Sequence, residues 1–303
     1  MYDTLKPELI TATEEQRRLM KMDPTYVVEK GMFMQNSFPY LEVRRPFILG
    51  VRDRKWKPTI GRCCNILSMH SIHISYNLPT APSHYFLAHH FAKLLHSKTG
   101  KLKRVYTQNI DGLANAVGLP DEKVVSVHGN ISKTSCETCG KEMDFNAFCD
   151  QVETKIRDIY NPQNGPVKSE PICCEGCGKA TVKPKTVLFG SSLPEEFFTR
   201  SEEDLPGADL LIVAGTSLVV SPANTLVYRV PKEAQRVVVN NEPVGQQLGI
   251  EYGSNAERDF FAQGYCDEVF LDLIIELGWL QDLNEVADNL PESSVKLIRA
   301  KDK

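Results

Sequence analysis

Two Cys-x-x-Cys pairs, Cys136 with Cys139 and Cys174 with Cys177, constrain this chain more than any other feature. The two-residue spacing lets both thiolates of a pair turn toward one centre, and two such pairs complete a tetrahedral zinc site. Each pair is followed by a glycine, Gly140 or Gly178, which permits the tight turn of a metal knuckle. The spacer between Cys139 and Cys174 is longer than in a zinc ribbon, so surrounding structure has to bring the pairs together. Cys173 adjoins Cys174, and spacing alone leaves either as the third ligand. Four thiolates close the coordination shell, so this ion holds structure and performs no chemistry. Nine cysteines, an odd number clustered in close pairs, fit metal ligation in a reducing compartment better than a disulfide framework. Cys63 and Cys64, with His70 and His73, are a second conceivable cluster, but adjacent cysteines in an irregular stretch read as incidental.

Around the cysteines runs a different rhythm. Four short apolar runs rich in β-branched residues read as buried parallel strands, because each ends in a polar, turn-forming segment. They are Arg104 to Tyr106 before TQNIDG, Val124 to Val127 before HGN, Leu210 to Ala214 before GTS, and Arg236 to Val239 before NNEPVG. A fifth, Thr186 to Phe189, precedes GSSLPEEFF. Helical patterns run from His84 to Ser97, through GLANAVG (Gly112 to Gly118), and from Asp267 to Leu283. Strands alternating with helices predict an α/β fold with a mainly parallel sheet.

Two regions break the alternation. Residues 132–183 hold both cysteine pairs, a charged helix-like piece from Phe148 to Tyr160 and the loop NPQNGPVKSEP, so they read as a small metal-dependent module inserted in the α/β domain. The stretch from Gly61 to Pro79 has no clear period and lies between Pro58-Thr59 and Pro79-Thr80, which marks it as an unusual insertion.

In an open α/β sheet, ligands bind beyond the carboxyl ends of the strands. Here those ends carry Gln108, Asn109 and Asp111 after the first strand and His128 after the second. Gly215, Thr216 and Ser217 follow the third, and Asn240 and Glu242 the fourth. A Gly-Thr-Ser turn lets N–H groups and hydroxyls approach a phosphate, and Asn or Glu at a strand end can take ribose hydroxyls. Each signal is weak alone, since a strand-end histidine is often a satisfied side chain. Together they predict a nucleotide-binding crevice with His128 as the general base, because an imidazole titrates near neutral pH.

The bulk numbers narrow the partners. A formal charge of -4 offers no global attraction to nucleic acid or an anionic membrane, so neither is expected as a direct partner. No apolar run approaches a membrane span, and MYDTLKPELITATEEQRRLMK lacks the apolar core of a signal peptide. The expectation is a soluble chain of the cytoplasm or nucleus.

The motifs YTQNIDGL, VVSVHGN, the two cysteine pairs, VKPKTVLFGSSLP, ADLLIVAGTSLVVSPA, VVVNNEPVG and GYCDE resemble, in that order, those of the sirtuins, NAD-dependent protein lysine deacylases. The match runs from about Ser83 to Trp279 and is most similar to the eukaryotic class I-like branch. The resemblance implies a Rossmann-like parallel sheet with helices on both faces, occupying 83–131 and 184–285, plus a zinc-binding module at 132–183. It also implies that 1–82 is an incomplete helical and cofactor-loop region and that 286–303 is a polar tail. By resemblance, Gln108, Asn109, Ile110 and Asp111 line the pocket for nicotinamide and its ribose, with Asn109 and Asp111 joining His128 in catalysis. Gly215, Thr216 and Ser217 would hold phosphate and ribose, Asn240 and Glu242 the adenosine ribose, and Cys266 would lie by the adenine. Val187, Leu188, Phe189 and Gly190 resemble the edge on which the acyl-lysine peptide pairs as an added strand. The implied reaction is NAD-dependent deacetylation of histone or non-histone proteins, with the acyl group passing to ADP-ribose and nicotinamide released. Zinc takes no part in it.

In sirtuins a Gly-Ala-Gly-x-Ser turn and a Pro-Asp-Phe-Arg loop precede the region that MYDTLKPEL resembles, and these 303 residues contain no Gly-Ala-Gly. The expectation is that the first strand and the loop over NAD are missing here. A rival expectation follows from it: a catalytically impaired chain acting as a zinc-bearing protein-binding module.

Overall fold

The computed structural model describes residues 5–53, 86–254, 256–287, 290 and 292–301. The expected insertion at 61–79, with Cys63, Cys64, His70 and His73, lies outside the described residues, as do His84 and Tyr85. In chain order the helices are α1 (Glu14–Met22), α2 (Lys30–Gln35), α3 (Phe38–Arg52), α4 (Phe86–Thr99), α5 (Leu113–Ala116), α6 (Phe145–Lys155), α7 (Glu195–Asp204), α8 (Leu226–Arg229), α9 (Cys266–Glu276), α10 (Leu280–Glu285) and α11 (Glu292–Lys301). The strands are β1 (Val105–Thr107), β2 (Val124–Ser126), β3 (Gly129–Cys136), β4 (Glu142–Met143), β5 (Val182–Thr186), β6 (Leu210–Ala214), β7 (Gln235–Asn240) and β8 (Asp259–Gln263). They form two compact units, one holding described residues 5–53 and 129–192, the other 86–128 and 193–301.

In the first unit α1 starts at a reciprocal cap, with Thr13 and Gln16 each accepting the other's backbone N–H, so two donors that a helix start leaves orphaned are satisfied. Buried Glu42 on α3 accepts from the Thr11 N–H (2.8 Å) and from the hydroxyls of Thr11 and Ser169 (2.6 Å each). Those bonds tie the N-terminal helices to the loop after α6 and compensate a charge taken out of water. The sheet of this unit is antiparallel, in the order β4-β3-β5. At its first rung Gly129 has φ +81, and a Cβ there would lie 1.8 Å from the Lys185 carbonyl, so no other residue fits.

The fifth predicted strand, Thr186 to Phe189, is corrected here. The run is not a buried parallel strand: β5 ends at Thr186 and pairs antiparallel with β3. Pro184 withholds one ladder donor, the register shifts between Asn130 and Thr134, and Phe189 ends 55% exposed with only a parallel bridge to Glu29.

The second unit realises the predicted alternation. β1 pairs parallel with β2, and β6, β7 and β8 form a parallel sheet in that order. Side chains alternate between its faces: Leu211, Val213 and Val238 pack with Phe197 of α7 and Leu226 of α8, while Ile212, Ala214 and Val239 pack with Leu87 of α4 and Phe270 of α9. Helices therefore cover both faces, the α/β arrangement expected of uniformly apolar parallel strands. Two buried charge clusters pin the strands. Asp204 accepts from the Tyr106 hydroxyl (2.6 Å) and Arg104, and Asp259 takes both Nε and Nη2 of Arg236 (2.5 and 2.6 Å).

Candidate functional site

The four cysteines converge in the first unit. The Cys136 and Cys177 Sγ atoms lie 3.6 Å apart, as do those of Cys139 and Cys174, and all four fall within 4.8 Å of one another. A tetrahedron with Zn–S bonds of about 2.3 Å has edges of about 3.8 Å, so the sulfurs stand where a zinc ion needs them. The two knuckles are built alike. The Cys136 N–H donates to the Lys141 carbonyl and that of Cys174 to the Lys179 carbonyl (2.9 Å each). Gly140 and Gly178 close the turns at φ +75 and +71, donating to the Cys136 and Cys174 carbonyls at 2.8 Å. Exposed Cys173 stands outside this group of four, whose third sulfur is that of Cys174.

Val187 and Leu188 are at least half-buried in the same unit, whereas Phe189 and Gly190 are exposed. The Phe189 N–H donates to the Val28 carbonyl and its own carbonyl accepts from the Lys30 N–H, both at 2.9 Å. One edge of the segment is thereby taken. Successive residues of an extended segment present their polar groups to opposite sides, so an added strand has to use Leu188 and Gly190. The Leu188 carbonyl already accepts from the Ser191 N–H at 3.0 Å.

In the second unit the polar strand ends form two groups. The Val127 N–H donates to the Thr107 carbonyl at 2.7 Å, which sets His128 beside Gln108. Burial lowers the His128 pKa below its ordinary value, while the Gln108 main chain draws it back up in part. The imidazole is therefore neutral at pH 7. Gln108 is buried, and neither Oε1 nor Nε2 of its amide has a partner. An orphaned amide at a strand end is a group shaped to meet a ligand. Asn109 donates to Asp111 at 3.3 Å, and Asp111 accepts from the Leu113 N–H at 3.0 Å, so this carboxylate caps the turn into α5. Ile110 is half-buried between them.

The second group surrounds the ends of β6 and β7. The Gly215 N–H reaches the Val239 carbonyl at 2.9 Å, and the Asn240 amide donates to the Thr216 carbonyl at 3.1 Å. Thr216 is buried, with its hydroxyl accepting from the Leu218 N–H, and Leu218 holds φ +53. Ser217 is half-buried and Glu242 exposed. Buried Cys266 sits at the start of α9, its Sγ 3.7 Å from the Val239 carbonyl. Gly215, Thr216, Asn240 and Cys266 are thus brought together, whereas exposed Glu242 stands apart from these hydrogen bonds.

The profile of the Sir2 family matches residues 68–222. The chain belongs to the Sir2 family. Among its relatives, the NAD-dependent protein deacetylase sirtuin-2 of Danio rerio is 36% identical over 211 residues, covering 65% of this chain and 52% of the relative. The NAD-dependent protein deacetylase HST2 of Candida albicans is 38% identical over 217 residues, covering 71% and 58%. The hst2 deacetylase of Schizosaccharomyces pombe is 34% identical over 210 residues, covering 69% and 57%. The chain spans a little over half the length of the curated relatives it matches.

Sequence reasoning about this Sir2-family chain passed over two buried charged groups. Asp267, next to Cys266, is wholly buried, and its carboxylate faces the Leu87 and Ala88 N–H groups without a hydrogen bond of good geometry. Burial pushes its pKa up to about 8, against the pull of the Leu87 and Ala88 N–H groups at the start of α4. An acid in the first turn of a helix reads as a favourable surface residue, so the sequence carries no sign of its burial. Arg44 on α3 is the other. No helix among the described residues is long and apolar enough to cross a membrane.

Proposed function

We propose that this chain is an NAD-dependent protein lysine deacetylase that transfers the acyl group to ADP-ribose, with His128 as general base. The observation that carries the reading is the neutral His128 imidazole beside the orphaned Gln108 amide at the ends of β1 and β2. When bound, NAD supplies an activated ribose that accepts the acyl group as nicotinamide departs. His128, held neutral by burial, has a lone pair free to take a proton from a ribose hydroxyl. The Gln108 amide gains partners when it orients the nicotinamide ribose, with Asn109, Ile110 and Asp111 completing that wall. Gly215, Thr216 and Ser217 take phosphate and ribose, Asn240 and Glu242 the adenosine ribose, and Cys266 lies by the adenine.

In the first unit the zinc held by Cys136, Cys139, Cys174 and Cys177 keeps the module folded. The Leu188 N–H and the main chain of Gly190 pair with an acyl-lysine peptide, and Val187 and Phe189 flank it. Substrates are acyl-lysine proteins, histones among them, of the cytoplasm or nucleus. The test is release of nicotinamide with matched loss of acetyl from an acetyl-lysine peptide. We expect His128→Ala to lower kcat by about 10²–10⁴-fold without moving the melting temperature, because the side chain supports no core. Acetyl loss that proceeds without NAD, or an His128→Ala variant that stays active, overturns the assignment.

A further inference from the structure

Two adjacent arginines on α3 meet opposite fates. Arg45 and Arg44 are equally buried, each 4% exposed. Arg45 donates Nη1 to Asp158 (3.0 Å) and Nη2 to the carbonyls of Glu153 (3.2 Å) and Asn164 (2.6 Å). Arg44 has no partner for Nε or Nη1. A buried cation without a counter-charge is among the costlier things a fold can contain.

The acceptors near it are already engaged. Asp158, the carboxylate of that loop, accepts from Arg45 through Oδ2 and from the Tyr160 and Asn161 N–H groups through Oδ1. Glu42, two positions earlier on α3, is held by Thr11, Ser169 and Arg157. The Tyr160 phenol, raised by burial, is drawn back down by the Arg44 charge, which sets the guanidinium close to the 158–161 loop.

We propose that Arg44 anchors an oxyanion site in the first unit, taking a compact carboxylate or phosphate from outside the chain. The planar guanidinium offers a fork of donors that matches either group. The site stands apart from the deacetylase reading and does not rest on it.

The test is the melting temperature of the zinc-loaded chain in chloride, acetate and inorganic phosphate at matched pH and ionic strength. Arg44→Met and Arg44→Gln are run alongside, with zinc content as a check of the fold. A saturable rise of roughly 3 °C or more at ten times the dissociation constant is expected in acetate or phosphate, and the arm that gives it names the ligand class. The variants should melt no lower than wild type in chloride and should lose the response. Three outcomes overturn the proposal. The wild type responds to neither anion; or Arg44→Met responds as the wild type does; or both variants melt far lower in chloride. The last means the guanidinium is paired within the protein.

Discussion

The two thiol knuckles and the two groups of strand ends use polar side chains in opposite ways. Around the cysteines every element is local and repeated: the same spacing, the same carbonyl and N–H partners, the same left-handed glycine. The four sulfurs reach ligand distance of one another with nothing left over. At the strand ends the groups come from distant parts of the chain, and one of them, Gln108, ends buried without a partner. A closed centre gives its free energy to folding, while an open one keeps unsatisfied groups for a ligand to complete.

The largest effect should come from opening the closed centre. Structural zinc contributes on the order of 10 kcal/mol to the folding of small modules, so Cys136→Ala should release the ion and leave 129–192 protease-sensitive. Cys173→Ala, outside the group of four, should leave metal content at one per chain. Zinc retention in Cys136→Ala, measured by elemental analysis, would break the comparison at its root.

Acid should act on the second unit through His89. Burial without a partner for Nε2 lowers its pKa to about 4, against 6.5 for an ordinary imidazole. The unfolded chain therefore binds a proton more readily across that interval, and stability that is complete above pH 6.5 is lost as pH falls toward 4. The loss is about 3 kcal/mol. Asp267 runs the other way: raised to about 8, it contributes stability present below about pH 4 and lost as pH rises to 8. Burial lowers His90 to about 4 as well, so between pH 4 and 6.5 the two imidazoles together outweigh Asp267. The rise of urea midpoints with pH should flatten in His89→Leu, and an unchanged slope would show that His89 is satisfied in the folded state.

Legibility in the sequence followed the same divide. The cysteine set could be read because a two-residue spacing fixes geometry through local turns, and only the choice between Cys173 and Cys174 had to wait for the fold. β1, β2, β6 and β7 were visible as apolar runs, since parallel strands covered on both faces have no polar side. β3, with polar Asn130, Ser132 and Lys133, and β8, bounded by Asp259 and Gln263, were not. Their place in a sheet depends on partners far along the chain. The strand-end residues were found by position, but their burial and pairing were not. Asp111 acts as a turn cap and Arg44 lies under the surface, because which polar side chain loses its water is decided by tertiary packing.

Gln108 offers a sharper test of the open centre. Leaving a buried amide unpaired costs about 1–3 kcal/mol, so Gln108→Leu, similar in shape and without polar atoms, should raise stability by about 1 kcal/mol while weakening NAD binding at least tenfold. Calorimetric titration beside thermal denaturation reads both. A variant that binds NAD normally would remove Gln108 from the site, and one that is destabilised would show that its amide is satisfied within the protein.

The smallest expected effect separates conformation from space inside the knuckle. Gly140 has φ +75, and a Cβ built there meets nothing within 4 Å, so alanine is disfavoured by its backbone alone. The left-handed conformation costs an L residue about 1–2 kcal/mol, and the Gly140→Ala melting temperature should fall by a few degrees with one zinc retained. Gly178→Ala, at φ +71 and equally open, should match it. Gly129→Ala should not, since its Cβ would run into the Lys185 carbonyl and force β3 from β5. If Gly140→Ala and Gly129→Ala cost the same, the turn is limited by something other than its backbone angle, and the two knuckles are not the interchangeable halves that their hydrogen bonds describe.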